Sequence, residues 1–163
     1  MPARGVIYVH SCPRALGRHV EWALSQVLGV DVLMDWTGQA VAPGFVRGEL
    51  SWQANPGTAA ELVSALRGFH ALRYEVTEEQ TPGREGERFS YTPDLGVFRA
   101  TIGIHGDVVI AEDRLRAALA DADTDNEIGE RIKSLLGAAW DDELEPFRYA
   151  GEGTPVRWLH RVG

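Results

Sequence analysis

Apolar and polar residues alternate along the first part of the chain in short runs separated by helical stripes. In GVIYVHS, residues 5–11, Val6, Tyr8 and His10 face one way and Ile7, Val9 and Ser11 the other. Apolar side chains on both faces predict a central strand. Pro13 suits a first helical position, and Leu16, Val20, Ala23, Leu24, Val27 and Leu28 recur at helical spacing until Gly29. That pattern predicts an amphipathic helix with a glycine stop. VDVLMDWTG alternates again, Val32, Met34 and Trp36 against Leu33, Asp35 and Thr37; after the turn APG, FVRGELSWQ sets Val46, Leu50 and Trp52 opposite Arg47, Glu49 and Ser51. These two runs are expected to pair as a hairpin with one wet side. PGTAAELVSALRGF carries a capping box, Thr58 to Glu61, and an apolar stripe of Ala59, Leu62, Val63, Leu66 and Phe69, which predicts a second helix. ALRYEVTEE closes the series with Leu72, Tyr74 and Val76 opposite Arg73, Glu75 and Thr77.

The order strand, helix, strand, strand, helix, strand is that of the ferredoxin-like split βαβ plan, and right-handed crossovers leave few other ways to wind it. The expected fold class is therefore α+β. Residues 5–79 should form an antiparallel sheet with both helices on one face, Leu50 and Trp52 turned toward them. QTPGREGER reads as a polar linker. Residues 87–163 are expected to form a β/α extension packed on the first unit, within a single domain spanning 1–163. In it RFSYTP and GVFRATIGI read as strands, and VVIAE pairs back through a tight type I′ turn at His105–Gly106. Leu115, Ala118 and Leu119 mark a short helix; a second capping box, Thr124 to Glu127, precedes Ile128, Ile132, Leu135 and Leu136, with Gly137 as the stop. The aromatic-rich tail is too apolar for a disordered end, and PVRWLHRV predicts a last strand.

Composition narrows the function classes. At 163 residues, 44% hydrophobic and 25% charged, the chain has the makings of one ordinary globular core. A formal net charge of -8 disfavours a dedicated nucleic-acid or anionic-membrane binder, which needs a positive patch to displace counterions. The strand face bearing Arg47, Glu49, Arg73 and Glu75 is a mixed field without the aromatic platforms that stack RNA bases. One cysteine makes neither an internal disulfide nor a cysteine-based zinc site, and the opening residues hold too short an apolar run for a signal peptide, so a cytoplasmic protein is expected.

Candidate chemistry is sparse. Cys12 stands at the strand-to-helix junction of HSCPRALGR, where amide dipoles lower a thiol's pKa and N–H groups hold an oxyanion; five residues on comes Arg18, the spacing of thiol phosphatases. Those phosphate loops favour several glycines, whereas here Gly17 is the only intervening one, Pro13 starts the helix early, and Arg18 falls on the solvated helix face. Cys12 is accordingly expected to be structural. His105 and Asp107 form a plausible acid–base couple, but a hairpin tip selects such small polar residues for backbone reasons. His10, His19, His70 and His160 are scattered without metal-ligand spacing, and DDELE at 141–145 lacks the alternating ligands and central glycine of a calcium loop, so neither metal nor cofactor is expected. Trp22 lies on the helix face that should meet water. Its apolar area predicts a cover, from the C-terminal half or from a second copy.

The segments YVHSCPRALGRHVEWAL, TPDLGVFRATIGIHGD, EDRLRAAL and above all WDDELEPFRYAGEGTPVRWLH resemble, over nearly the full length, a family of actinobacterial proteins catalogued as a domain of unknown function. The resemblance implies a small bacterial cytosolic protein with no assigned reaction. Through relatives encoded beside genes of dissociated fatty-acid synthesis it also implies acyl carrier protein or its enzymes as partners, which would need a local basic patch for docking. The leading expectation is a non-catalytic binding or regulatory protein, with a protein partner, a small ligand or a second copy. The rival is a small enzyme acting on an anionic substrate through Cys12 with Arg14 or Arg18. A filled helix start and an exposed apolar groove would favour the binder; an anion held at the helix start would favour the enzyme.

Overall fold

The computed structural model describes residues 1–149. They form a mixed α+β fold with a seven-stranded open sheet, ordered β2-β3-β1-β4-β5-β6-β7, in which every neighbouring pair is antiparallel. The strands are β1 (Ala3–Pro13), β2 (Thr37–Gly38), β3 (Phe45–Ala54), β4 (Arg73–Glu78), β5 (Gly86–Thr92), β6 (Gly96–Ile102) and β7 (Val108–Val109); the helices are α1 (Gly17–Leu28), α2 (Thr58–Ala65), α3 (Glu112–Asp121), α4 (Asp125–Leu136) and α5 (Ala138–Arg148). The expected last strand in PVRWLHRV lies outside the described residues.

Registers follow from the alternation. Ile7 pairs with Leu50 and with Val76, and Val76 with Phe89, so these side chains share one sheet face. Val20 and Leu24 of α1, Ala59 and Leu62 of α2 and Leu66 at its C-cap pack onto that face with Val46, Trp52 and Tyr74. Both helices thus cover one face, with Trp52 turned toward them. Phe89 of β5 belongs to the same core, because β5 pairs directly with β4 along Tyr74–Glu78. QTPGREGER is accordingly no loose linker: Thr81 and Arg84 bridge each other in a turn that carries the sheet onward.

α5 packs across the opposite sheet face. Leu144 and Arg148 are its buried residues, and Trp140 donates its indole N–H to the Gly96 carbonyl at 2.9 Å while its ring meets Phe98. α3 buries only Ala118, and α4 buries no residue.

Four further expectations are corrected. Residues 31–36 form no strand, because their backbone is claimed by α1: Val32 N–H donates to Ser25 Oγ at 2.8 Å and Met34 N–H to Glu21 Oε2 at 2.7 Å. Only Thr37 and Gly38 remain to pair with β3. The first capping box does not form either. Gly57 is the N-cap, and the carboxylate of Glu78 in β4 accepts from Gly57 N–H at 2.9 Å and Ala59 N–H at 3.0 Å, leaving Glu61 exposed. The second box does form at its Thr124 end, where the hydroxyl accepts from Glu127 N–H. The β6–β7 tip is not a two-residue turn at His105–Gly106: Gly106 N–H closes onto the Gly103 carbonyl, which makes Ile104 and His105 the central residues, and Gly106 follows them with a φ of 84°. Finally, Pro13 does not begin the helix. It ends β1 and precedes a 3-10 turn, Arg14–Leu16, that leads into α1.

Candidate functional site

The start of α1 is filled. The indole of Trp36 packs against Gly17, only 3.2 Å from an ideal Cβ at that position, so a side chain there would have to push the ring aside. Cys12 is fully buried, and burial pushes its thiol up to about 11; its Sγ–H points to the Pro13 carbonyl at 3.3 Å. The direction is opposite to the dipole-driven lowering expected at a helix start, because desolvation of a thiolate outweighs the partial charge of a short 3-10 turn. Arg14 and Arg18 are exposed. Sulfur and guanidinium are therefore on different sides of the protein surface, one inside and one out.

His105 and Asp107 are both exposed at the β6–β7 tip. His105 stands at the lip of a cleft of about 340 Å³ on the α5 face of the sheet, whose wall includes Val6, Thr77, Gln80, Arg88 and Ile102; Asp107 is outside it. Trp22 is 66% exposed, and among the described residues nothing covers it, since the C-terminal helices lie beyond the other sheet face.

The densest chemistry sits where alternation marked a wet face. His10 of β1 and Glu75 of β4 are wholly buried, and His10 Nε2 lies 2.8 Å from Glu75 Oε1. Arg148 closes the cluster from α5 with a two-pronged contact, Nε donating to Oε1 and Nη2 to Oε2 of Glu75, each at 2.8 Å. Ser90 Oγ adds a fourth donor at 3.2 Å, and Asp141 Oδ1 accepts from Arg148 Nη2 at 3.0 Å. Burial by itself would raise the Glu75 carboxyl, but the hydrogen bonds and charges of His10 and Arg148 outweigh it and hold it at about 2. Burial also lowers His10, against the pull of Glu75, so the imidazole is neutral and donates from Nε2. Arg148 already balances the carboxylate, which removes the need for a second cation. Burial would lower Arg148 in turn, but Glu75 and then Asp141 raise it further above its ordinary value.

Around this cluster the Tyr8 ring lies against that of His10, centroids 4.7 Å apart and tilted by 33°, and Arg47 Nη2 donates to the Tyr8 hydroxyl at 2.6 Å. Gln39 donates to the His10 carbonyl at 2.6 Å and to the Phe147 carbonyl at 3.3 Å, tying the loop before β3 to the last turn of α5. With four donors on one carboxylate and no exposure at either His10 or Glu75, the arrangement clamps α5 to the sheet. The sequence could not reveal it, because nothing near Glu75 announces a partner so far along the chain.

A second feature lies at the sheet's β2 end. Leu28, Val30, Asp31, Val32 and Leu33 on one side and Leu50–Gln53 of β3 on the other enclose an open groove of about 320 Å³. Leu33 and Val30 are 86% and 62% exposed, and Trp22 stands on the adjoining helix. Here a signal was legible: Leu33 shares its side of the alternation with Asp35 and Thr37, an apolar residue on a polar edge.

The fold and these features define an α+β protein whose sheet is roofed by two helices on one face and clamped by a C-terminal helix on the other. The chain belongs to DUF3145, a family of proteins of unknown function, whose model matches residues 6–161. No curated protein and no solved structure matches it significantly. Among the described residues, no helix is long and apolar enough to cross a membrane.

Proposed function

We propose that this chain is a non-catalytic binding protein that takes its partner at the groove between residues 28–33 and β3. The observation that carries the reading is the groove itself: exposed Val30 and Leu33 beside Leu50 and Trp52 form an apolar cleft at the edge of the sheet. The filled start of α1 and the buried, raised thiol of Cys12 support it against the enzyme reading, since a thiol nucleophile needs an accessible thiolate and a cradle of free amides. The unit presenting the groove reads as a ferredoxin-like split βαβ arrangement, supported by the order β2-β3-β1-β4 with α1 and α2 on one face. A cytoplasmic address is supported by the single, reduced cysteine.

The test pairs capture with turnover. The wild-type chain should retain a partner from native cytosol that Leu33→Asp does not, while Cys12→Ser retains it fully. Hydrolysis of aryl phosphates or thioesters by the wild type, lost in Cys12→Ser at unchanged melting temperature, overturns the reading in favour of the enzyme.

A further inference from the structure

Resting on that binding reading, we infer that the groove receives an extended segment of a partner protein that adds a strand to the outer edge of β3, with apolar side chains toward Leu50 and Trp52 and a basic side chain toward Glu49.

The direction of the main chain makes the edge available. Glu79 N–H donates to the Arg4 carbonyl at 2.7 Å, and Val6 N–H donates to Thr77 Oγ1 at 3.2 Å, so the peptide groups of Arg4 and Val6 serve the β4 side of β1. Strand geometry alternates, and Gly5, Ile7 and Val9 therefore serve β3. Their partners are Trp52, Leu50 and Gly48, which turns the peptide groups of Glu49, Ser51 and Gln53 outward. The Phe45 carbonyl, in the same alternate set, confirms the direction by accepting from Gln39 N–H on the outer side. β2 reaches only Val46 and Arg47. Among the described residues, the outward N–H and C=O groups of Glu49, Ser51 and Gln53 have no partner.

The strand expected there is held away. Glu21 and Ser25 take the amides of Met34 and Val32, which keeps residues 31–36 on α1 and leaves a gap beside β3. Five residues, Glu49–Gln53, span roughly 16 Å at about 3.3 Å each, enough for a short added strand. Exposed edges are usually blunted by charged side chains, Lys above all, by Pro or by a bulge; from Glu49 to Ala54 this one has no Lys, Pro or bulge, and Glu49 is its single charge.

The occupant's chemistry follows from the two faces of the edge. On the helix face, the added strand's side chains meet Leu28, Val32, Leu50 and Trp52, which select apolar groups. On the other face they meet exposed Glu49, Ser51 and Gln53, and among the described residues Asp31 is the one charged residue lining the groove. Among the described residues, no Lys or Arg lines it. A cation in the alternate position is favoured, and a second copy carrying the same net charge of -8 is disfavoured.

The experiment titrates the isotope-labelled full chain with an acetylated, amidated pentapeptide alternating Val and Lys, and follows its amides. Saturable binding should slow exchange at Ser51 and Gln53 while Leu50 and Trp52, already paired with β1, are unchanged. The same peptide with alternate amides N-methylated should bind about tenfold more weakly or worse, as should a Val and Glu peptide. Ser51→Pro, which removes one outward donor at an edge position that tolerates proline, should weaken binding similarly. Absence of saturable binding up to the peptide's solubility limit, or indifference to N-methylation, overturns the proposal. So does protection of Ser51 and Gln53 that grows with protein concentration in the free chain, which assigns the edge to a second copy. A natural partner lost in Leu33→Asp but kept by Ser51→Pro would leave the binding reading standing and remove strand addition.

Discussion

Arg148, at the end of α5, lays its guanidinium against both carboxylate oxygens of Glu75 in a central strand, at 2.8 Å on each side, across 73 residues of sequence. The pair is 1% and 0% exposed. It decides where the last helix docks, and with Leu144 it accounts for what α5 buries.

Removing one partner should cost far more than removing both. Arg148→Met leaves a buried carboxylate with its main cation gone and is expected to destabilise by about 3–5 kcal/mol. Adding Glu75→Leu to it should recover part of that loss, since two well-packed apolar residues replace a desolvated ion pair. Urea denaturation of the two single variants and the double variant measures it; simple additivity would show that the two side chains are not coupled.

Acid should weaken the fold in two stages. His10 is lowered in the folded chain, so below its ordinary value of 6.5 the unfolded chain binds a proton that the folded chain refuses, and stability falls with pH. Glu75, held at about 2 against an ordinary 4.5, contributes on the order of 3 kcal/mol that is fully present above 4.5 and lost as pH falls toward 2. Melting temperatures of His10→Gln between pH 7 and pH 5 should be flatter than those of the wild type. An equally steep profile would mean that another group titrates there.

Cys12 should be inert in the native protein. With its pKa at about 11, roughly one thiol in a thousand is ionised at pH 8, and the sulfur is enclosed. Alkylation by iodoacetamide should be slow until denaturant is added, then immediate. Rapid native labelling would contradict the burial.

Gly5 should accept no side chain. An ideal Cβ there stands 1.8 Å from the Thr77 carbonyl oxygen and 2.6 Å from the Trp52 ring, and both are held by the sheet and the core. Gly5→Ala is expected to destabilise by about 3 kcal/mol or more; Gly68→Ala, with nothing within 4 Å, should fall within about 0.5 kcal/mol of the wild type. Thermal melts of the two variants separate the cases.

Much of the fold was legible in the chain because periodicity reports which side of an element is buried. The stripe of α1 with its stop at Gly29, the alternation of β1, β3 and β4, and the stop at Gly137 all reflect local geometry acting on local residues. The same local logic marked Trp22 as an apolar group on a polar side, and it is exposed, as is Leu33, which shares its side of the alternation with Asp35 and Thr37.

Partner choice for polar groups was decided only in three dimensions. VDVLMDW alternates like a strand, yet Glu21 and Ser25 take its amides first, and that single competition opens the edge of β3. Thr58 and Glu61 spell a capping box, yet Glu78 arrives from β4 and caps the helix instead. Glu75 alternates with buried neighbours as though it faced water, and becomes the most enclosed charge of the sheet because α5 brings Arg148 to it. A hydrogen bond or ion pair is set by distance and direction between groups, and those are properties of the assembled elements; hydrophobic periodicity encodes only how each element must be turned.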